Sequence, residues 1–184
     1  MPRAPRPQIA GATYHVTAHA VAGTKLVRKD VDRRRLLAEL TTVVDTYGWI
    51  CLAACLLDNH YHLLVTTPEP NLARGMQRLN SAYATFFNNK YRRKGHLFGS
   101  RYYSGCIESE GHLLNTFRYI ANNAAAADPS LHLRADRWNS YPGVIGAAEC
   151  WPFIAKREVL KHFGPESSAI AVLEEFVEGQ RTAA

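Results

Sequence analysis

Residues 49–67, WICLAACLLDNHYHLLVTT, constrain this chain more than any other stretch. Two apolar runs, each short enough for a strand, flank the polar pair Asp58-Asn59, which supplies a turn, so 49–66 reads as a β-hairpin. Helical periods lie on either side. Leu36, Leu37, Leu40, Val43, Val44 and Tyr47 recur at helical spacing after an Asp30 cap, and Gly48 ends that run. Leu72, Met76, Leu79, Tyr83, Phe86 and Phe87 repeat the pattern after Asn71. Upstream, residues 12–20, ATYHVTAHA, alternate: Tyr14, Val16 and Ala18 share one face, and His15, Thr17 and His19 the other. Downstream, residues 95–108 read as a strand with glycine irregularities. A third helix starts at Ser109 or Glu110 and runs to about Ala127, with Pro129 as its stop. RWNSYPG, residues 137–143, reads as a loop, and residues 156–163 and 166–178 as short helices. The order β-α-β-β-α-β-α predicts an α+β fold: a ferredoxin-like antiparallel sheet with helices packed on it.

At 184 residues and 47% hydrophobic, the chain suits one domain with its own core and does not read as disordered. Its apolar runs are too short to span a bilayer, so no membrane partner is expected. The opening MPRAPRPQIAG is basic but has no apolar core, so no signal peptide is expected. Cys51, Cys55, Cys106 and Cys150 form no C-x-x-C pair and read as reduced thiols of a cytoplasmic protein.

The net charge of +6 favours a polyanionic partner only weakly; the placement of the cations says more. Arg33, Arg34 and Arg35 form one cluster. Lys90, Arg92, Arg93 and Lys94 form another, interleaved with Phe86, Phe87 and Tyr91, and Arg3 and Arg6 lie in a Pro-rich arm. Cations for phosphates beside aromatic rings for bases are what a single-strand binder needs. Solvated helix ends would give the same pattern.

His60 and His62 project from one face of their strand, where two imidazoles can chelate one ion. Two ligands do not make a tight site, so a third must come from elsewhere. A strand face that simply carries histidines is the plainer alternative. Cys51, Cys55, His60 and His62 have the residue types of a zinc finger, but both spacers are too short. On the third helix, His112, Asn115, Thr116, Asn122 and Asn123 fall within roughly 60° of Tyr119, opposite an apolar face of Leu113, Leu114, Phe117, Ile120, Ala121 and Ala124. A phenol of ordinary acidity is about a thousandth ionised at neutral pH, so as a phosphoryl nucleophile it needs a cation to offset charge in the transition state.

The ordered motifs NHYHLL (59–64), YATFFN (83–88), GHLFGSRY (95–102), RYIANN (118–123) and WNSY (138–141), with YHVT at 14–17, resemble the single-tyrosine HUH transposases, and most closely the REP-associated tyrosine transposases. The resemblance covers most of residues 10–145. It implies endonuclease and strand-transfer chemistry on single-stranded DNA near palindromic hairpins. Carried over, His60 and His62 are metal ligands, Asn123 is the third ligand, and Tyr119 is the nucleophile that leaves a 5′-phosphotyrosine. Mg²⁺ or Mn²⁺ is the implied cofactor. Mixed imidazole and amide ligation suits Mn²⁺, while Mg²⁺ would lean on water and phosphate oxygens.

Arg33, Arg34, Arg35, Lys90, Arg92, Arg93, Lys94 and Arg101 are then the candidate DNA contacts. The implied organisation is a basic arm over 1–10, the transposase domain over 11–145 and a helical extension over 146–184. A monomer or homodimer, cytoplasmic and nucleoid-associated, fits the same resemblance. Tyr102 and Tyr103 are lesser nucleophile candidates without an amide partner. The sequence departs from the family at Ala124, where a proline is usual, in the alanine run over 124–127, in WNSY for WSSY, and at His19 for an arginine. These leave each catalytic position in place. The alternative function is a DNA- or RNA-hairpin-binding protein that keeps the fold without turnover.

Overall fold

A computed structural model describes residues 8–127 and 132–179. The arm residues Arg3 and Arg6 and the stop at Pro129 lie outside the described residues.

The predicted element order holds. Strand β1 (Ala12–His19) leads to helix α1 (Asp30–Tyr47), then to the hairpin of β2 (Ile50–Leu56) and β3 (His60–Thr67). Helix α2 (Leu72–Lys90), strand β4 (Tyr103–Cys106) and helix α3 (Glu110–Ala127) follow. The four strands form one antiparallel sheet in the order β2-β3-β1-β4.

Two helix starts differ from expectation. Asp32, not Asp30, satisfies the open end of α1: its Oδ2 accepts from the backbone N–H groups of Arg28 (2.9 Å) and Lys29 (3.0 Å). Asn71 makes no side-chain cap on α2. Its Oδ1 instead accepts from Trp49 Nε1 (2.7 Å), and its Nδ2 donates to Tyr47 O (3.0 Å), tying the end of α1 to the start of α2.

Alternation divides the sheet into a dry face and a working face. Across the β1–β3 pair, Tyr14 meets Val65, Val16 meets Leu63 and Ala18 meets Tyr61. These six are buried, and Tyr61 Oη ties this face to α2 by donating to Asn80 Oδ1. The intervening pairs are His15 with Leu64, Thr17 with His62 and His19 with His60, all on the opposite face. Helix α3 packs on that second face, against β2 and β3.

The expected strand over 95–108 forms only at its end. Residues 97–99 hold on to the end of β1 through Val21 N–H to Leu97 O (2.9 Å) and Gly99 N–H to His19 O (3.1 Å). Gly95, at φ 88°, and Gly99, close to the Val21 Cα, let the chain bend where a continuous strand would have run on.

The expected loop over 137–143 is more ordered than predicted. Leu56 N–H donates to Trp138 O (2.8 Å) and Ser140 N–H to Ala54 O (2.9 Å), so residues 138–140 cover the outer edge of β2. Helix α4 (Tyr141–Ile145) then begins. Helix α5 (Lys156–Leu160), a 3₁₀ turn (Lys161–Phe163) and helix α6 (Ala169–Glu178) complete the described chain. Phe163 joins them to the core, its ring 6.3 Å from Phe117 of α3 and 5.7 Å from Phe176 of α6. All four cysteines are free, and no described helix is long and apolar enough to cross a membrane.

Candidate active site

The working face carries a line of imidazoles because β1 places His15, Thr17 and His19 there and β3 places His60 and His62 beside them. His19 stacks on His60 with centroids 4.5 Å apart, and the His15 and His62 rings lie end to end with centroids 5.2 Å apart. His60 and His62 meet edge to face at 4.8 Å. Helix α3 brings Tyr119 over this line: its ring lies 5.4 Å from that of His62 and 5.8 Å from that of His15. Tyr119 is 52% exposed, whereas His62 beneath it is 4% exposed.

Three residues anchor α3 at this height. Asn139, buried, donates from Nδ2 to Ile120 O (3.1 Å) and Ala121 O (2.9 Å), while its Oδ1 accepts from Tyr141 N–H (3.0 Å). Asn122 donates from Nδ2 to Arg118 O and to Val177 O of α6. That turns Asn122 toward α6, although the helical wheel places it on the Tyr119 side. Arg118 lies over the Phe176 ring at 4.7 Å. Asn123 follows Tyr119 by one helical turn and is half-buried.

The electrostatics favour the neutral imidazole at His62, His60 and His15. Burial pushes the His62 pKa down to about 3, helped by repulsion from His60, His15 and His19. Burial and His19 lower His60, and burial and His112 lower His15. Neutral imidazoles have lone pairs to give.

These residues fit a bound divalent cation. His62 Nε2 is buried with no hydrogen-bond partner among the described residues, a costly state unless a ligand reaches it. Its Nδ1 is held by His15 Nε2 (3.0 Å) and Thr17 Oγ1 (3.1 Å), the second-partner arrangement typical of ligating histidines. His60 Nδ1 contacts Asn59 Oδ1 at 2.7 Å. No cluster of three or more His, Cys, Asp or Glu suited to a metal occurs among the described residues, so further ligands would be an amide, water or phosphate. Thr17 was not singled out in the sequence, although its place between His15 and His19 in the alternating run marks it.

The basic clusters lie on the α1–α2 side and divide by use. Arg33 is 16% exposed at its side chain, pairs with Asp58 and Asp30, and lies over the Trp138 ring at 5.2 Å. Lys90 pairs with the buried Asp32, Arg35 with Glu39, and Arg93 donates to Asn88 Oδ1. Arg34, Arg92, Lys94 and Arg101 are exposed and make no ion pair with another described residue. Tyr103 is exposed on edge strand β4, while Tyr102 is buried.

Fold and site together define an α+β protein whose sheet presents a histidine-lined face beneath an exposed tyrosine. The chain belongs to the family of IS200-like transposases, whose profile matches residues 8–123. That span includes His60, His62, Tyr119 and Asn123. A solved structure of a REP-associated tyrosine transposase bound to a REP hairpin has a similar fold, with a TM-score of 0.65 at 15% identity over 83% of this chain and 90% of that chain. The tRNA(His) guanylyltransferase of Saccharomyces cerevisiae aligns at a TM-score of 0.37 and 13% identity over 91% of this chain and 77% of that one, too low to carry an argument. No curated protein matches the sequence.

Proposed function

We propose that this chain is a metal-dependent endonuclease and strand transferase that cleaves single-stranded DNA near hairpins through a 5′-phosphotyrosine on Tyr119. The observation that carries this reading is the exposed Tyr119 ring set against His62, whose buried Nε2 has no partner among the described residues. His60, His62 and Asn123 would hold Mg²⁺ or Mn²⁺. When bound, the cation polarises the scissile phosphate and offsets the charge that builds on it.

In this reading the protein itself supplies the nucleophile. Tyr119 Oη bonds to phosphorus as the bond from phosphorus to the 3′ oxygen breaks. The phenol proton passes to water, and the departing 3′ oxygen takes up a proton to become a free 3′-hydroxyl. Reversal by another 3′-hydroxyl rejoins a strand without ATP, because the phosphotyrosine keeps the energy of the phosphodiester. His60, His62 and Tyr119 meet within one chain, an arrangement open to both a monomer and a homodimer. Arg34, Arg92, Lys94 and Arg101 are free to neutralise DNA phosphates. The hairpin bound to the REP-associated transposase of similar fold supports a hairpin substrate here.

The test incubates the protein with single-stranded hairpin oligonucleotides and Mn²⁺ and looks for a protein–DNA band that survives denaturant. The band is expected for the wild type and not for Tyr119→Phe or His60→Ala/His62→Ala. A band kept in Tyr119→Phe would assign the nucleophile elsewhere. Binding on a native gel without any denaturant-resistant band would favour the hairpin-binding alternative. Binding should weaken with salt at a log–log slope of about −0.7 per phosphate contacted.

A further inference from the structure

His62 has hydrogen-bond partners at one ring nitrogen and none at the other. Its Nδ1 lies 3.0 Å from His15 Nε2 and 3.1 Å from Thr17 Oγ1, and its Nε2 is buried without a partner among the described residues. Two ring nitrogens 3.0 Å apart need one proton between them. Two neutral arrangements supply it. In one, His15 donates from Nε2 and the His62 proton sits on buried Nε2, facing no acceptor. In the other, His62 donates from Nδ1 to His15, and Nε2 keeps a lone pair. Buried donors without acceptors are rarer in folded proteins than buried acceptors without donors, which favours the second arrangement.

We propose that His15 is a positioning residue: its Nε2 accepts from His62 Nδ1–H and holds His62 in the tautomer that leaves Nε2 open to a divalent cation. The inference rests on the metal reading of the site. The contact is built into the sheet, since His15 and Thr17 sit at successive same-face positions of β1 and Thr17 is the register partner of His62. The His15 and His62 rings lie end to end with planes 28° apart, and His15 meets Tyr119 at 69°. One side chain therefore orients the ligand and touches the nucleophile's ring. Rigid strands hold such a constellation more closely than loops do.

Long-range ¹H–¹⁵N NMR spectra of the metal-free protein report the tautomer of His62 directly, and the wild-type spectrum decides it without any variant. The Nδ1–H form is expected in the wild type and a mixture in His15→Phe, which keeps an aromatic ring in place. Mn²⁺ titration followed by electron paramagnetic resonance should show binding about 10- to 100-fold weaker in His15→Phe. His15→Gln, whose amide oxygen is an acceptor, should recover most of that loss. An Nε2–H form in the wild type overturns the proposal. So does equal Mn²⁺ affinity in wild type and His15→Phe, or a His15→Gln variant as weak as His15→Phe. A wild type that binds no Mn²⁺, yet shows the Nδ1–H form and loses it in His15→Phe, upholds the positioning role and overturns the metal reading instead.

Discussion

The rings of His62 and Tyr119 meet edge to face, their centroids 5.4 Å apart and their planes 88° apart. The phenyl ring makes this contact, and the hydroxyl is not needed for it. Tyr119→Phe should therefore change stability by no more than about 0.5 kcal/mol in urea denaturation. The same variant should form no denaturant-resistant adduct with hairpin DNA. A loss of several kcal/mol would mean that the hydroxyl holds the fold together.

Asn139 should matter to chemistry from a distance. Asn139→Ala removes the donor to Ile120 O and Ala121 O and leaves Tyr141 N–H without its acceptor. A cost of about 1–3 kcal/mol is expected. With the tyrosine helix loosened, adduct formation at saturating DNA and metal should slow by about ten- to a hundredfold. Mn²⁺ affinity should fall by less than that, because His60 and His62 sit on β3 and only Asn123 rides on α3. A parallel loss of Mn²⁺ affinity would show that the sheet itself had shifted.

Asp32 links α1 to α2 and gives the fold a pH dependence. Burial alone would raise its pKa, but hydrogen bonds from Lys90, Tyr91 and the Arg28 and Lys29 backbone outweigh it and leave the carboxyl below its ordinary value. The folded state thus favours the carboxylate. The stabilisation is complete above the unfolded-state pKa, about 3.9, and is lost as pH falls through the lower folded-state value. Thermal melts of wild type and Asp32→Asn should differ most near neutral pH and converge below about pH 4. A gap that stays constant down to pH 2 would exclude this linkage.

Gly75 is required by Trp49. A Cβ at position 75 would lie 2.2 Å from Trp49 Cζ2, and the indole cannot swing away without losing its hydrogen bond to Asn71. Alanine is the better helix former by about 1 kcal/mol. Gly75→Ala should nonetheless destabilise by about 1–3 kcal/mol, read from the urea midpoint. A higher midpoint would show that Trp49 can move cheaply.

Period-two and period-3.6 patterns made the sheet, its helices and the pairing of His60 with His62 readable, because side-chain direction follows directly from backbone geometry. Tyr119 was readable from its place among amides on a helical wheel, and the resemblance to a transposase family gave it a role. Elements held by distant partners were less so. Asn71 looks like a cap, yet Trp49 takes its side chain. WNSY looks like a loop, yet the open edge of β2 orders it. Asn122 lies near Tyr119 on the wheel, yet α6 draws it aside. Arg33 and Lys90 resemble free cations, and only the folded chain brings Asp58 and Asp32 to them. The contact between His15 and His62 depends on strand register, which sequence spacing does not give.

The division of the sheet has a consequence for how this chain can change. Because Tyr14, Val16 and Ala18 alternate with His15, Thr17 and His19, one residue inserted early in β1 would exchange the two sets. Imidazoles would enter the core, and Tyr14 and Val16 would face water. Single substitutions can revise either surface independently, but a slip of one position forfeits both together. Drift along this lineage should therefore proceed by replacement within β1 and β3, with length changes confined to the connections between elements.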